Sequence, residues 1–322
     1  MFECEIVFFF VVIKYFAYLC SLKWLILLSV QNYKNNIILM KIREKIFQKI
    51  LCSVVLVAAT WATANGQSAP KLDTIECHIV GFNIGVKMPS ERFSFGTAPD
   101  GTTSQMATMS SLYPGAWMDY GINGLYKYKR GWLVSVDGNI WFGSNNLLYR
   151  KERMGSVYTH DSIVIGENGT DASITCYNRG ISFQGGVGKI FVVAPHKNPN
   201  SGILARISAG YMRQQTIFMV NNEHAPQLEG DYALLYDHQR HGAILTESVG
   251  YWFMSNNANL LNLYVSFDIS QCWSWSTRDY MIDNYLGLHG KDNNRYFDLI
   301  YSIKLCWMFP LKGKASQEYY YY

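Results

Sequence analysis

From Ala116 to Gly143 the chain alternates. Met118, Tyr120, Ile122, Tyr126 and Tyr128 fall on one face of an extended segment, and Asp119, Asn123 and Lys127 fall on the other. After a break at 127–131 the return segment repeats the rhythm, with Trp132, Val134, Val136, Ile140 and Phe142 opposed by Ser135, Asp137 and Asn139. Side chains alternate across a strand, so each segment has one apolar and one polar face, and the two read as a hairpin.

The same period recurs and predicts eight strands. The first spans Glu76 to Met88, with Val80, Phe82, Ile84 and Val86 outward and Asn83, Gly85 and Lys87 inward. The hairpin supplies the second and third. The fourth, Ile181 to Val193, breaks its pattern at Lys189, which shares a face with Phe183 and Val187; this predicts either a bulge or a lysine reaching for an interface. In the fifth, Ile203 to Gln214, Ile207, Ala209 and Tyr211 point out while Arg206 and Ser208 point in. The sixth, Ala243 to Phe253, is ambiguous in register, and Glu247 is assigned inward because an outward carboxylate is costly. The seventh, Leu261 to Trp275, sets Asp268 against Phe267 and Ile269. The eighth, Tyr296 to Phe309, sets Asp298, Ser302 and Lys304 against Leu299, Tyr301, Ile303 and Leu305.

These segments are long enough to cross a bilayer when tilted. Short connections at 127–131, 194–202 and 255–260 alternate with long ones at 89–115, 144–179, 215–242 and 276–295, as expected when turns are periplasmic and long loops extracellular. Aromatic residues, among them Trp132, Trp252, Trp273 and Trp307, gather near the strand ends, where interfacial girdles place them. The expected fold is an all-β, eight-stranded antiparallel up-and-down transmembrane barrel over 76–311. A secreted sandwich also alternates, but with shorter strands whose outward residues are polar.

Met40 to Gly66 reads as a signal peptide, with a basic start at Lys41, Arg43, Lys45 and Lys49, an apolar run over 50–59, and small residues at Ala62, Ala64 and Gly66. Residues 1–39 are expected to be an overextended start, 67–75 a short periplasmic lead and 312–322 a periplasmic tail. The leader changes the charge reading. Residues 1–66 hold seven Lys and Arg and three Glu, which is all of the net +4, and residues 67–322 hold 21 of each sign. A neutral chain gives no support to nucleic acid as a partner. Cys77, Cys272 and Cys306 fall on the inward face and Cys176 in a loop, with free thiols expected rather than disulfides or a metal.

An eight-stranded barrel has an interior just filled by side chains. Lys87, Lys127, Arg206 and Lys304 are therefore expected to pair inside it with Asp119, Asp137, Glu247, Asp268 and Asp298, because unpaired buried charges are expensive. Candidates for chemistry are confined to the loops: His160, Asp161 and Ser162; Glu223 and His224; Asp237, His238 and His241. Adjacent residues rarely converge, and each group reads as a solvated loop, with no cofactor implied. The favoured function is non-enzymatic, and the alternatives are a small-solute pore or a lipid- or peptide-cleaving enzyme at the rim.

From Glu229 onward the motifs Gly230-Asp231-Tyr232, Tyr236-Asp237 and Gly250-Tyr251-Trp252, with the ending Cys306-Trp307-Met308-Phe309, resemble outer-membrane β-barrel proteins of the Bacteroidota. The resemblance implies an outer-membrane location and an accessory role in a secretion or envelope complex, as in PorT- and PorG-like barrels of type IX secretion. The last strand, alternating and ending in Phe309, is of the kind that the barrel-assembly machinery accepts from the periplasm, and a bilayer-spanning barrel contacts outer-membrane lipid. Where those proteins continue the loop motif with Arg-Leu, this chain has His238 and Gln239. The last four residues, Tyr319, Tyr320, Tyr321 and Tyr322, are expected to offer a partner-binding tail.

Overall fold

The computed structural model describes residues 76–105, 107–143, 147–192, 200–254 and 262–311. The leader, its upstream extension, the lead at 67–75 and the tyrosine tail lie outside the described residues. Eight long strands make the architecture: β1 (Cys77–Thr97), β2 (Trp117–Lys127), β3 (Trp132–Phe142), β4 (Asp171–Val192), β5 (Gly202–Asn221), β6 (Arg240–Met254), β7 (Asn262–Ser276) and β8 (Arg295–Leu311). Each pairs antiparallel with its neighbour in chain order, and β8 returns to pair with β1 from His78↔Leu311 to Thr97↔Arg295. The sheet is a closed ring, which leaves no row of unpaired backbone groups along an edge. Two stacked sheets are excluded by this pairing.

The apolar side chains are on the outside. Val136 is 66% exposed and Phe183 62%, while Asp119 and Asp298 are fully buried. The hairpin between β2 and β3 closes at Gly131, whose φ is +75° and where a Cβ would stand only 2.7 Å from the Ile190 carbonyl oxygen.

Several sequence expectations are corrected here. Glu247 stands on the outward face, opposite Ile207 and Ile269, because Val249, Tyr251 and Phe253 fix the parity of β6. Trp252 belongs to the interior rather than to a girdle and is completely buried. Lys189 needs no bulge: the register of β4 is continuous with both neighbours, and the ammonium sits 5.3 Å from the centroid of the outward Trp132 ring. The irregularity lies instead in β1, where the register shifts between Ser90 and Phe95.

The strands also outrun their predicted ends. β4 begins ten residues before Ile181 and β5 continues to Asn221, so Cys176 is a buried strand residue and not a loop residue. The reason is a change of polarity along β4. Below Arg179 in height Phe183 and Val187 face out, but above it Ile174 and Cys176 face in while Ser173 faces out. A pattern that inverts partway along one strand reads as a break when only one solvent is assumed.

Candidate functional site

The inward side chains form three tiers that recur on successive strands. Reading β8 upward from its C-terminal end, Met308 and Cys306 are followed by Lys304 and Ser302, then by Ile300; β7 runs Tyr264, Ser266, Asp268, Ser270, Cys272. The lower tier is apolar. Ile79, Leu125, Leu133, Leu204 and Met254 pack there around Trp252 and Tyr264, whose rings stack 5.8 Å apart at 4°. Lys127 sits at this end with its ammonium 3.0 Å from Asn200 Oδ1.

The middle tier is ionic. Lys87 Nζ lies 2.9 Å from Asp119 Oδ1, and Lys304 Nζ bridges Asp119 Oδ2 at 3.4 Å and Asp268 Oδ2 at 3.2 Å. Arg206 Nη1 reaches Asp137 Oδ1 at 3.1 Å. Three cations thus face three carboxylates in direct contact, all but sealed from solvent. An amide ladder supports them: Asn83 Nδ2 donates to Asn123 Oδ1 at 2.6 Å, and Asn123 Nδ2 donates to the Tyr264 hydroxyl at 2.7 Å. Lys87 also sits 3.9 Å from the centroid of the Trp141 ring, which itself lies flat against Gly180.

The upper tier closes around a short helix from the β1–β2 connection, α1 (Met109–Leu112). Thr108 Oγ1 accepts from the Ser111 amide at its start, as an N-cap does. Met109 and Leu112 then bury against Trp117, Trp141, Met212, Ile244 and Ile300. Asp298 is held here, its Oδ1 accepting from the Ser110 amide at 2.9 Å. The Tyr113 hydroxyl donates to Thr216 Oγ1 at 2.9 Å. Arg240, buried just above, stacks its guanidinium 3.4 Å from the Tyr296 ring centroid.

Of the expected charge network, then, Lys87, Asp119, Asp137, Arg206, Asp268 and Lys304 meet one another. Lys127 and Asp298 occupy other tiers, and Glu247 is outside. The plugging aromatics Trp141, Trp252 and Tyr264 and helix α1 were not anticipated, although strict two-residue counting puts all three rings on the inward face.

Above the barrel the long connections fold onto one another. Arg153, in the helix α2 (Arg150–Arg153) of the β3–β4 connection, places Nη1 2.6 Å from Asp283 Oδ2 of the β7–β8 connection. His238 of the β5–β6 connection brings Nε2 to 3.3 Å from the same oxygen. Burial pushes the Asp283 carboxyl up, but the His238 hydrogen bond and the charges of His238 and Arg153 outweigh it and hold the group below the usual carboxylate range. Three separate connections therefore meet at one buried carboxylate. Next to it Arg278 forks onto Asp237, and an apolar cluster of Met154, Val164, Ile174, Leu228 and Tyr236 fills the space beneath.

The loop groups considered for chemistry do not converge. His160 and Asp161 are 3.9 Å apart and fully exposed; His224 meets Glu229 at 3.4 Å, whereas Glu223 accepts from Thr170. Asp237 and His238 turn to different partners, and His241 packs against Trp275 with ring centroids 4.8 Å apart. Among the described residues no group of His, Cys, Asp and Glu is arranged to hold a metal.

No family model and no curated protein matches the chain. Among solved structures it is similar to Ail, the attachment invasion locus protein of Yersinia pestis, at 9% identity over 72% of this chain and 99% of that one, with a TM-score of 0.30. It is also similar to the outer-membrane protein OprG of Pseudomonas aeruginosa, at 12% identity over 74% and 97% of the two chains with a TM-score of 0.32. A third is the N-terminal β-barrel domain of OprF from Pseudomonas aeruginosa, at 9% identity over 73% and 100%, with a TM-score of 0.29. Assignment of the barrel here rests on its own strand pairing.

Proposed function

We propose that this chain is an outer-membrane β-barrel with a closed lumen, non-enzymatic, serving as a structural or accessory component of a secretion or envelope complex. The observation that carries the reading is the inversion of polarity: charges packed and compensated inside a closed ring, apolar and aromatic side chains outside. A belt such as Phe82, Ile122, Val136 and Phe183 is stable against hydrocarbon and unstable against water. In this reading the short turns face the periplasm and the packed connections face outward.

The filled lumen argues against a wide pore, since the large side chains Met109, Trp141, Trp252 and Tyr264 are all buried inside it. It directs attention to surfaces as the working parts. The accessory role draws on the resemblance of the segment from Glu229 onward, and among the described residues no arrangement of loop nucleophile and base favours an enzyme. Reconstitution of the purified chain in planar bilayers is expected to give no stable conductance, and a large steady current would overturn the closed-lumen reading. Affinity purification from native membranes is expected to bring down envelope proteins in fixed stoichiometry; recovery of the chain alone would overturn the accessory role.

A further inference from the structure

Inside the barrel every cation of the middle tier has a carboxylate against it. On the outside, at the end nearer the long connections, two guanidiniums do not. Arg179 of β4 and Arg213 of β5 both face outward and are exposed. Their register, Arg179↔Gln215 and Ile181↔Arg213, makes them diagonal neighbours on one face, roughly 7–8 Å apart. Among the described residues no carboxylate stands within ion-pair distance of either. Like charges on adjoining strands repel, and an anion held between them turns that repulsion into attraction.

Around the pair the surface is built of rings. The Arg179 guanidinium lies 5.6 Å from the centroid of the Phe142 ring. His241 pairs in register with Arg213, and its ring sits 4.8 Å from Trp275 and 6.1 Å from Tyr211, centroid to centroid. The buried Gln239 amide lies 2.9 Å from Arg213 Nε, which steadies that guanidinium without neutralising it. One step down each strand on the same face come Ile181 and Tyr211, then Phe183 and Ala209, so the two cations stand directly above the apolar belt. A molecule that fits this surface carries an anionic group at the arginines and an apolar body below it. That is the build of a lipid; a soluble anion would leave the lower part unused.

We propose that Arg179 and Arg213 form a binding site for the phosphate monoester of a lipid in the outward leaflet, with Phe142, Tyr211, His241 and Trp275 as the shelf against its headgroup. The inference rests on the bilayer placement and orientation proposed above. A guanidinium meets phosphate oxygens through two parallel N–H donors, a fork that an ammonium lacks. A monoester, with a charge of about −1.5 to −2, matches two such forks. A neutral headgroup matches none.

The test uses the full chain extracted from native membranes in mild detergent, stripped of lipid and titrated with lipid A, whose glucosamines carry phosphate monoesters. Native mass spectrometry is expected to show the lipid held by the unaltered chain and at least fivefold less of it held by the double variant Arg179→Gln, Arg213→Gln. Arg213→Lys, which keeps the charge, is expected to retain more than half, and Lys189→Gln, at the opposite rim over Trp132, to retain all of it. Lipid A from which the phosphates have been removed is expected to bind the unaltered chain at least fivefold more weakly. The mobility difference between boiled and unboiled samples confirms that each variant is folded. Undiminished binding by the double variant, or equal binding of the dephosphorylated lipid, would overturn the proposal. Displacement of the lipid by an equal concentration of inorganic phosphate would overturn it in favour of a site for the free ion. Sensitivity to Lys189→Gln in place of the arginines would overturn the site together with the orientation, whereas loss of the unaltered chain from the membrane fraction would overturn the bilayer placement itself.

Discussion

At the scale of single residues the interior depends on charge balance more than on any one contact. Asp119 receives two ammonium groups, from Lys87 and Lys304, and both stay buried when it is removed. Asp119→Ala is therefore expected to lower the unfolding free energy by about 3–5 kcal/mol, the range for breaking one side of a buried pair. Urea titration of the chain in vesicles measures it. Gly180→Ala tests the packing of the same region, since its Cβ would fall 2.1 Å from the Trp141 ring on which Lys87 rests. A loss of about 1–3 kcal/mol is expected, as for overpacked cores, with a changed near-ultraviolet tryptophan signal. Glu247 shows where the sequence misled. Counting by twos from Val249 puts it outward, and only the cost of an outward carboxylate moved it in; the rhythm was the better guide. The same rhythm carried Asp119, Asp137, Arg206, Asp268 and Lys304 to the interior.

At the scale of elements, every barrel strand was legible where one face meets an apolar surround and the other a polar lumen. What could not be read was the part of β4 and β5 beyond that zone, where Ile174 and Cys176 turn inward to pack under the connections. Nor did spacing reveal that Arg153, His238 and Asp283 meet, because their contacts span sequence separations that periodicity does not encode. This junction carries a pH dependence. The Asp283 carboxyl is held below its ordinary value, so its contribution is fully present above the unfolded value of about 3.9 and is lost as pH falls through the folded value. Limited pepsin digestion is expected to cut the connections increasingly below about pH 4 while the barrel stays whole. Asp283→Asn is expected to produce the same cleavage at neutral pH with a protease active there; unchanged resistance would show that the apolar cluster alone holds the connections.

At the scale of the whole molecule, the tiers divide the work. The buried rings and aliphatic chains of the lower tier and the cluster around α1 in the upper one flank the ionic layer, whose pairs are strengthened by the low local dielectric. In the reading proposed above the barrel is a post rather than a conduit, and its sides and top are the surfaces left to carry specificity. Fold class and closure were legible because alternation over eight segments admits few architectures. Function was not, since a surface is composed of residues distant in sequence, which periodicity does not bring together.

The unequal strands have one more consequence. Residues 173–178 of β4 and 216–221 of β5 pair with each other beyond the point where β3 and β6 have ended. Roughly 20 Å of two-stranded ribbon, at about 3.3 Å per residue, thus rises beside β3, and β1 with β8 likewise continues past the start of β2. With the connections facing outward, this mast would clear much of the surrounding sugar coat, whereas the low flank at β2 and β3 would sit within it. An antibody or phage raised against intact cells would meet the mast first, and epitopes on the low flank would emerge only when the sugars are trimmed.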